Sequence, residues 1–354
     1  MATLATVLAV AAAGLGGAHA QSGVGDLTPG QLAGQRVVAG FAGHSPPRDL
    51  LRRIGRGKVG GVILFGHNVV SRRQVARLVG RLQAVRRPRA VDYPLLVMVD
   101  QEGGPVRRIP GAPERSAAEI GATGRPAAAR RAGRAAGRNL RAARVNVDLA
   151  PVADVARPGS AMERERRAYG RRPGKVARFA SAFARGLERT GVLATGKHFP
   201  GFGAARANTD LTRVTIHTPR KRLRSVDERP YRALFDRGVR LVMLSTAIYT
   251  ALDPGTPAAF SRRIARGELR GRLGFRGVSM TDALGTPATA PYGGPPAVGV
   301  KAARAGVDLL LYSSYEAGKA AARRLASAIR RGRIPRSSAE ASVRRTLQVR
   351  LGLR

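Results

Sequence analysis

The chain has 354 residues, 44% of them hydrophobic, which is enough for one large α/β domain or two medium domains and argues against wholesale disorder. It contains no cysteine, which excludes a disulfide-stapled fold and thiolate chemistry. The formal net charge of +41 comes almost wholly from arginine, and it fits either a polyanionic partner or the arginine codons of a GC-rich genome.

The first twenty residues have the pattern of a signal peptide. The segment from Leu4 to Leu15 is apolar and small, and Ala18-His19-Ala20 is a small-x-small cleavage pattern. No lysine or arginine precedes the apolar run, so a misassigned start codon and a membrane-tethered stub stay open as alternatives. We expect residues 1–20 to be a signal peptide and residues 21–354 to be an exported domain, extracellular or associated with the cell wall, with a cytoplasmic location as the alternative. No other apolar run reaches the roughly 20 residues that span a bilayer, so we expect no transmembrane segment in the mature chain.

Eight short apolar runs alternate with amphipathic helical stretches along the remaining chain. The runs are residues 36–41, 60–65, 94–99, 145–150, 192–195, 241–244, 277–280 and 307–311. The helical stretches include residues 71–85, 128–143, 176–190, 316–331 and 337–351. Runs of nearly continuous apolar character are typical of strands buried on both faces of a parallel sheet. The alternation predicts an α/β fold, a single-domain (β/α)8 barrel of the TIM type; an open doubly wound sheet is the alternative, but no Gly-x-Gly-x-x-Gly turn follows the first strand.

Polar side chains follow five of the predicted strands at the point where each strand ends. They are Asp100 and Glu102 after the third run, Asp148 and Asp154 at the fourth, Lys197 and His198 at the fifth, Ser245 and Thr246 at the sixth, and Asp282 at the seventh. The carboxyl ends of barrel strands carry the active site. One such aspartate is commonly a helix N-cap, but five polar strand ends together predict a site for a polyhydroxylated ligand.

The segment Asp100-Gln101-Glu102-Gly103-Gly104, followed by Arg108, resembles the third-strand motif of glycoside hydrolase family 3, in particular its single-domain bacterial β-N-acetylhexosaminidase branch. Further matching segments occur in the same order, at residues 60–65 with Asn68, 150–155, 167–170, 197–201 and 273–277 leading to Asp282. The resemblance covers about residues 35 to 350 of the sequence. It implies a (β/α)8 barrel and retaining hydrolysis of a β-linked terminal sugar through a glycosyl-enzyme intermediate.

The resemblance also implies roles for individual residues. Asp282 matches the nucleophile of the family, and a short carboxylate at a strand end suits that role because it is rigidly held. The positions that hold the hydroxyls of the terminal sugar match Asp100, Arg108, Arg167, Lys197 and His198. Without the resemblance, each has a plainer interpretation: a helix N-cap for Asp282, a surface position for the arginines and a core position for His198. We expect no cofactor and no metal, since no two histidines have ligand spacing and a retaining glycosidase needs neither.

The loop that follows Lys197 departs from the pattern of the family. The hexosaminidase branch takes its general acid/base from an Asp-Ser-His loop, and ungapped counting places that histidine at Asp210 and its partner aspartate at Asn208. Three outcomes stay open. Asp210 is the candidate acid/base, or another carboxylate such as Glu163 or Glu165 takes that role, or the protein binds sugar without cleaving it efficiently.

The expected partner is a carbohydrate substrate. The resemblance implies a terminal β-linked N-acetylglucosamine, which an exported protein would meet in peptidoglycan fragments. The alternative function is a catalytically impaired sugar-binding or cell-wall-binding protein, favoured by the charge of +41 and by the altered loop. The charges are spread along the chain without a basic tail or interleaved aromatic residues, so we expect no specific nucleic acid partner. Non-specific attraction to anionic cell-wall polymers follows from the charge.

Overall fold

The computed structural model describes residues 23–353, and the predicted signal peptide lies outside the described residues. One sheet contains eight parallel strands. They are β1 (Val37–Ala39), β2 (Gly61–Ile63), β3 (Leu96–Val99), β4 (Val147–Asp148), β5 (Leu193–Phe199), β6 (Leu241–Leu244), β7 (Val278–Thr281) and β8 (Leu310–Tyr312). Each predicted apolar run overlaps one of these strands, so all eight predicted strands are confirmed.

The sheet closes on itself into a barrel. Its strands lie in the order seven, six, five, four, three, two, one, eight, and β1 pairs in parallel with β8 through Val38 and Leu311. The last gap is closed by hydrogen bonds between β7 and the segment that enters β8. The amide of Thr281 donates to the carbonyl of Leu309 at 3.0 Å, and the amide of Leu309 donates to the carbonyl of Ser279 at 2.9 Å. The predicted (β/α)8 barrel is therefore confirmed.

Alternate residues of the strands fill the inside of the barrel, because side chains in a strand alternate between its two faces. The interior cluster includes Val38, Ile63, Leu96, Met98, Val147, Leu149, Leu193, Leu241, Met243, Val278, Met280, Leu309 and Leu311. The same alternation places Asp100, two residues after Met98, and Lys197, four residues after Leu193, on the inward face. The fold thus delivers polar side chains to the carboxyl end of an apolar barrel.

Helices surround the barrel. They are α1 (Pro29–Gly34), α2 (Arg48–Gly55), α3 (Arg72–Gln83), α4 (Ala117–Ala122), α5 (Pro126–Ala142), α6 (Ala161–Arg164), α7 (Pro173–Glu188), α8 (Arg220–Arg222), α9 (Arg229–Phe235), α10 (Pro295–Ala305), α11 (Tyr315–Arg330) and α12 (Arg336–Leu351), with π-helical segments at Leu223–Asp227 and Arg263–Arg272. The five predicted helical stretches correspond to α3, α5, α7, α11 and α12. Among the helices of residues 23–353, none combines the length and apolar character that crossing a membrane requires.

Two glycines allow α5 and α7 to approach until their backbones touch. A Cβ atom at Gly133 would lie 2.1 Å from the carbonyl oxygen of Phe183, and a Cβ atom at Gly186 would lie 2.1 Å from the carbonyl oxygen of Arg130. Such contacts are far inside the normal separation, so both positions require glycine. The close approach also brings side chains of the two helices together on the outer surface.

We expect Gly186→Ala to lower the free energy of unfolding by about 1–3 kcal/mol, because the backbone of α5 must move to admit the methyl group. This loss outweighs the roughly 1 kcal/mol that alanine gains over glycine in a helix. The control is Gly267→Ala, where the new methyl group has no neighbour within 4 Å. Urea unfolding measures both variants. A Gly186→Ala protein as stable as the control would contradict the backbone contact.

Candidate active site

A cavity of about 380 Å³ opens at the carboxyl end of the barrel. All seven residues predicted from the sequence line it: Asp100, Arg108, Arg167, Lys197, His198, Asp210 and Asp282. Apolar side chains of the barrel interior, including Ile63, Leu149, Met243 and Leu311, also line it. The structure therefore brings the predicted polar residues together above an apolar floor.

A buried carboxylate links two cations on one side of the cavity. Glu102, which is 4% exposed, lies 2.7 Å from the Nζ atom of Lys197 and accepts two hydrogen bonds from Arg167, at 2.8 and 2.9 Å. Lys197 also donates to Asp100 at 2.6 Å. Glu102 belongs to the motif at the end of the third predicted strand, but its partners could not be predicted from the sequence. Glu102 lies two residues after Asp100, and residues two apart in an extended segment have their side chains on the same face. This spacing is the sequence signal that predicts Glu102 beside Asp100.

The charges in this cluster compensate each other. Burial alone would raise the pKa of Glu102, but the positive charges of Arg167 and Lys197 outweigh burial and lower it to about 2. Burial alone would lower the pKa of Lys197, but Asp100 and Glu102 raise it above its ordinary value. Glu102 is consequently ionised and Lys197 protonated at neutral pH, so Lys197 can donate hydrogen bonds to a ligand.

His198 is held by an aspartate that lies beneath the cavity. The Nδ1 atom of His198 lies 2.8 Å from one oxygen of Asp154, which is fully buried. The other oxygen accepts hydrogen bonds from the amides of His198, at 3.2 Å, and of Phe202, at 2.7 Å. The ring of Phe202 packs against the imidazole with a centroid distance of 5.8 Å. Asp154 therefore fixes the ring so that Nδ1 donates to it and Nε2 is left for a ligand.

Arg108 contributes a cation whose donors are not all used. Its Nε atom is buried and has no hydrogen-bond partner within residues 23–353. A buried donor of this kind is normally satisfied. Since Arg108 lines the cavity, a ligand hydroxyl or carbonyl can supply the missing acceptor.

The loop that carries Asp210 is shaped by Asn208. The side-chain oxygen of Asn208 accepts a hydrogen bond from the amide of Asp210 at 2.9 Å, and its carbonyl accepts from the amides of Leu211 and Thr212, each at 3.1 Å. These bonds form a tight turn that presents Asp210 at the mouth of the cavity, where the residue is partly exposed. Asn208 thus stabilises the backbone of the turn.

The carboxyl group of Asp210 interacts electrostatically with that of Asp282. Partial burial raises the pKa of Asp210, and the like charge of Asp282 raises it further, while His198 and Arg167 act in the opposite direction. The net shift is upward. Asp210 therefore keeps its proton to a higher pH than an ordinary aspartic acid does.

Asp282 follows β7 directly and does not cap a helix. Its amide donates to the carbonyl of Leu244 at 2.8 Å, and one of its carboxyl oxygens accepts from the amide of Ala283 at 2.8 Å. The next α-helix, α10, begins at Pro295 after Gly294. The plainer interpretation of Asp282 as the N-cap of a following helix is therefore wrong.

Both alternative acid/base residues form ion pairs with arginines. Glu163 accepts from Arg171 at 2.6 Å and from the amide of Gly159 at 2.9 Å, and these bonds lower its pKa. It does not line the cavity. Glu165 does line it, but one of its oxygens accepts from Arg167 at 3.0 Å. Within the described part of the chain, no three His, Asp or Glu side chains converge as metal ligands.

Comparisons with known proteins agree on one family. The sequence model described as the glycosyl hydrolase family 3 N terminal domain matches residues 30–349. A protein of Arthroderma benhamiae called an uncharacterized secreted glycosyl hydrolase is 40% identical over 329 residues, which are 90% of this chain and 93% of that protein. A beta-hexosaminidase of Nitrosomonas eutropha is 36% identical over 261 residues, 72% of this chain and 73% of that protein.

Two solved structures show the same fold over nearly the whole chain. A glycoside hydrolase family 3 beta-N-acetylglucosaminidase from Paenibacillus sp. superposes with a TM-score of 0.87 at 36% identity, covering 92% of this chain. This chain spans 63% of the length of the Paenibacillus protein, which is less than two thirds. A beta-N-acetylhexosaminidase from Beutenbergia cavernae superposes with a TM-score of 0.82 at 32% identity, covering 92% of this chain and 98% of the other.

We expect Glu102→Gln to lower the free energy of unfolding at pH 7 by about 3 kcal/mol, because two buried cations lose their shared counter-charge. The pKa of Glu102 is lowered from 4.5 to about 2 in the folded state. Its contribution is therefore complete above pH 4.5 in the wild type and is lost as the pH falls towards 2.

Urea unfolding as a function of pH measures this contribution. As the pH falls from 4.5 to 2, Glu102→Gln should lose less stability than the wild type. The matched control is Glu165→Gln, which also removes a partner of Arg167 but at a side chain that is 34% exposed. It should change stability by less than about 1 kcal/mol. Equal effects of the two substitutions would contradict the bridging role of Glu102.

Proposed function

We propose that this chain, which belongs to glycosyl hydrolase family 3 and is a glycosidase, releases a terminal β-linked N-acetylglucosamine by a retaining mechanism. In this proposal Asp282 is the nucleophile and Asp210 is the general acid/base. The observation that carries it is the single cavity lined by both aspartates and by the five residues expected to hold a sugar. The choice of sugar is supported by the names of the relatives, which include a beta-hexosaminidase and a beta-N-acetylglucosaminidase.

In the first step, the carboxylate of Asp282 attacks the anomeric carbon and the bond from that carbon to the leaving oxygen breaks. The proton of Asp210 moves to the leaving oxygen, so the departing sugar leaves as a neutral alcohol. The direction of the pKa shift of Asp210 suits this step, because partial burial and the charge of Asp282 both favour its protonated form.

In the second step, water attacks the anomeric carbon of the glycosyl ester on Asp282, and the deprotonated Asp210 accepts a proton from that water. Formation of the ester removes the negative charge of Asp282, so one of the causes that raised the pKa of Asp210 disappears. The loss of this charge favours the carboxylate form of Asp210, which a general base requires. Two successive inversions leave the released sugar in the β configuration.

Charged groups around the cavity hold the terminal sugar. Lys197 and Asp100 form a donor and acceptor pair at 2.6 Å, and Arg108 has a buried donor to spare. His198 is oriented by Asp154. Hydrogen bonds from charged groups to hydroxyls are short and directional, so they fix the ring relative to Asp282. The apolar floor closes the cavity below, which suits a chain end rather than the middle of a polymer.

We further propose that residues 1–20 direct export and that residues 21–354 are one catalytic domain. The small-x-small pattern before Gln21 supports this, and so does the name of the Arthroderma relative, a secreted glycosyl hydrolase. An exported enzyme with this specificity would act on peptidoglycan fragments, so a role in peptidoglycan turnover belongs to the same proposal.

The second candidate function is sugar binding without efficient hydrolysis. The observation that favours it is the placement of Asn208, whose side chain bonds to the backbone of Asp210. Among the described residues, no group donates a hydrogen bond to the carboxyl group of Asp210, and a proton donor that nothing orients would protonate the leaving group poorly. The two candidates differ in what Asp282 and Asp210 contribute to rates.

We expect Asp282→Asn to abolish hydrolysis of every substrate, because the nucleophile is lost. Asp210→Asn should lower kcat on N-acetylglucosamine oligomers by about 10²–10⁴-fold, the usual contribution of a general acid. It should slow glycosyl transfer from an aryl N-acetylglucosaminide much less, because an activated leaving group needs little protonation. Steady-state and burst kinetics with both substrates measure these effects. Glu163→Gln is the control and should leave all rates near those of the wild type.

If neither aspartate substitution changes any rate, the enzymatic role of these residues is wrong. If the wild type turns over neither substrate, but N-acetylglucosamine raises its melting temperature, the binding function is correct. In that case Lys197→Ala should abolish the rise in melting temperature, since Lys197 donates from the wall of the cavity.

The pH profile provides a second test of Asp210. Since the folded pKa of Asp210 is raised above its ordinary 3.8, the protonated acid is present below the raised value and is lost as the pH increases through it. The kcat/KM for oligomers should therefore fall on the alkaline side, and Asp210→Asn should remove that fall. An alkaline limb that persists unchanged in Asp210→Asn assigns the proton donor to another group.

A further inference from the structure

A second concave surface lies outside the barrel, between α5 and α7. We call it the basic groove, and it is a cavity of about 310 Å³ lined by Arg130, Arg178, Arg185 and Arg237 around Ser181. Among residues 23–353, no aspartate or glutamate lines it. An adjoining cavity of about 530 Å³ shares Ser181, Arg185 and Arg237 with it. Four arginines thus line the groove, and the nearest carboxylates that line a cavity, Glu188 and Asp236, belong to the adjoining one.

The local fold explains why these arginines converge. Arg178 and Arg185 are seven residues apart on α7 and therefore share one face of that helix. Arg130 belongs to α5, and the glycine contact at Gly186 brings its backbone against α7. Arg237 follows α9, which also packs on α7. All four arginines are exposed, and none forms an ion pair within the described part of the chain.

A buried hydroxyl without a partner lies in the floor of the groove. Ser181 is 4% exposed, and its Oγ atom makes no hydrogen bond within residues 23–353. Buried hydroxyls are normally satisfied, so this donor indicates a missing acceptor. Ala127 and Ala182 add apolar surface beside it. Glu188 and Asp236 line the adjoining cavity. The surface whose charged residues are all arginines is therefore limited to the basic groove.

We propose that the basic groove binds a linear phosphodiester polymer with small polyol repeats, of the kind found among anionic cell-surface polymers. Guanidinium groups bind phosphate oxygens in bidentate fashion, and the Ser181 hydroxyl donates to a further oxygen. Seven residues of helix rise about 10 Å, so Arg178 and Arg185 contact different phosphates of one chain. The alanines contact the carbon atoms between the phosphates.

Other anionic partners fit this surface less well. No aromatic side chain of the described part of the chain lines the groove, so the bases of a single-stranded nucleic acid would have nothing to stack on. A membrane surface would favour exposed apolar side chains beside the arginines. Within the described residues, the large hydrophobic side chains that are exposed are Val70 and Leu211, and neither lines the groove.

The test measures binding of a synthetic glycerol phosphate oligomer to the mature protein by calorimetry at fixed salt. Arg178→Gln/Arg185→Gln should weaken binding at least about tenfold, because two charge-assisted contacts are lost. The slope of log Kd against log salt should fall by about 0.7 for each lost contact. Ser181→Ala should weaken binding about fivefold. The control, Arg323→Gln/Arg324→Gln, removes the same charge from exposed positions of α11 and should change affinity less than about twofold.

Equal weakening in both double variants would show that net charge alone attracts the polymer, and no weakening in either would also overturn the site. Inorganic phosphate that binds as tightly as the oligomer would overturn the assignment to a polymer. So would a single-stranded DNA oligonucleotide that binds more tightly and loses that affinity in the groove variant. Hydrolysis of an aryl N-acetylglucosaminide should be unchanged in all these variants, so this inference fails or succeeds independently of the catalytic one.

Discussion

The carboxylate of Glu102 is the interaction on which the cavity depends. It lies between Lys197 and Arg167, two cations that would otherwise repel each other in a space with little water. It also joins the end of β3 to the end of β5 and to the loop after β4, which are far apart in sequence. Because Glu102 compensates both cations, Lys197 retains a short bond to Asp100 and a charge to offer a ligand. The arrangement of the charged wall of the cavity follows from this one buried group.

The pKa values of two carboxyl groups at this end of the barrel are shifted in opposite directions. Cations surround Glu102 and lower its pKa, whereas burial and Asp282 raise the pKa of Asp210. The net charge of +41 would be expected to lower both values. The pKa of Asp210 is nevertheless raised, because solvent screens the distant positive charges, whereas the carboxylate of Asp282 in the same cavity is screened much less. Short-range geometry, and not the overall charge, therefore decides which carboxyl group can carry a proton.

The sequence was sufficient for the barrel and for the residues that line its cavity, because both depend on local patterns. Buried parallel strands are continuous apolar runs, and polar residues at their ends must meet at one end of the barrel. The partners of those residues could not be predicted in the same way. Arg167 meets Glu102 across 65 positions, and Asp154 meets His198 across 44. The two interpretations of Asp282 could be separated only once the structure placed the next α-helix at Pro295. Pairings of this kind depend on loop paths that no local pattern encodes.

Arginine has several structural uses in this chain, so its abundance does not by itself identify a partner. Arg350 is fully buried and donates to the main-chain carbonyls of Pro94 and Tyr93 at 2.7 and 2.6 Å, and burial lowers its pKa to about 9. Arg167 belongs to the charge cluster of the cavity. Arg178 and Arg185 have neither carbonyl nor carboxylate partners among the described residues, although they line a concave surface with a buried free hydroxyl. A polyanion releases its counterions when cationic side chains of the protein bind to it, and only side chains that are not already paired with a carboxylate can do so. Arg178 and Arg185 are such side chains within the described part of the chain.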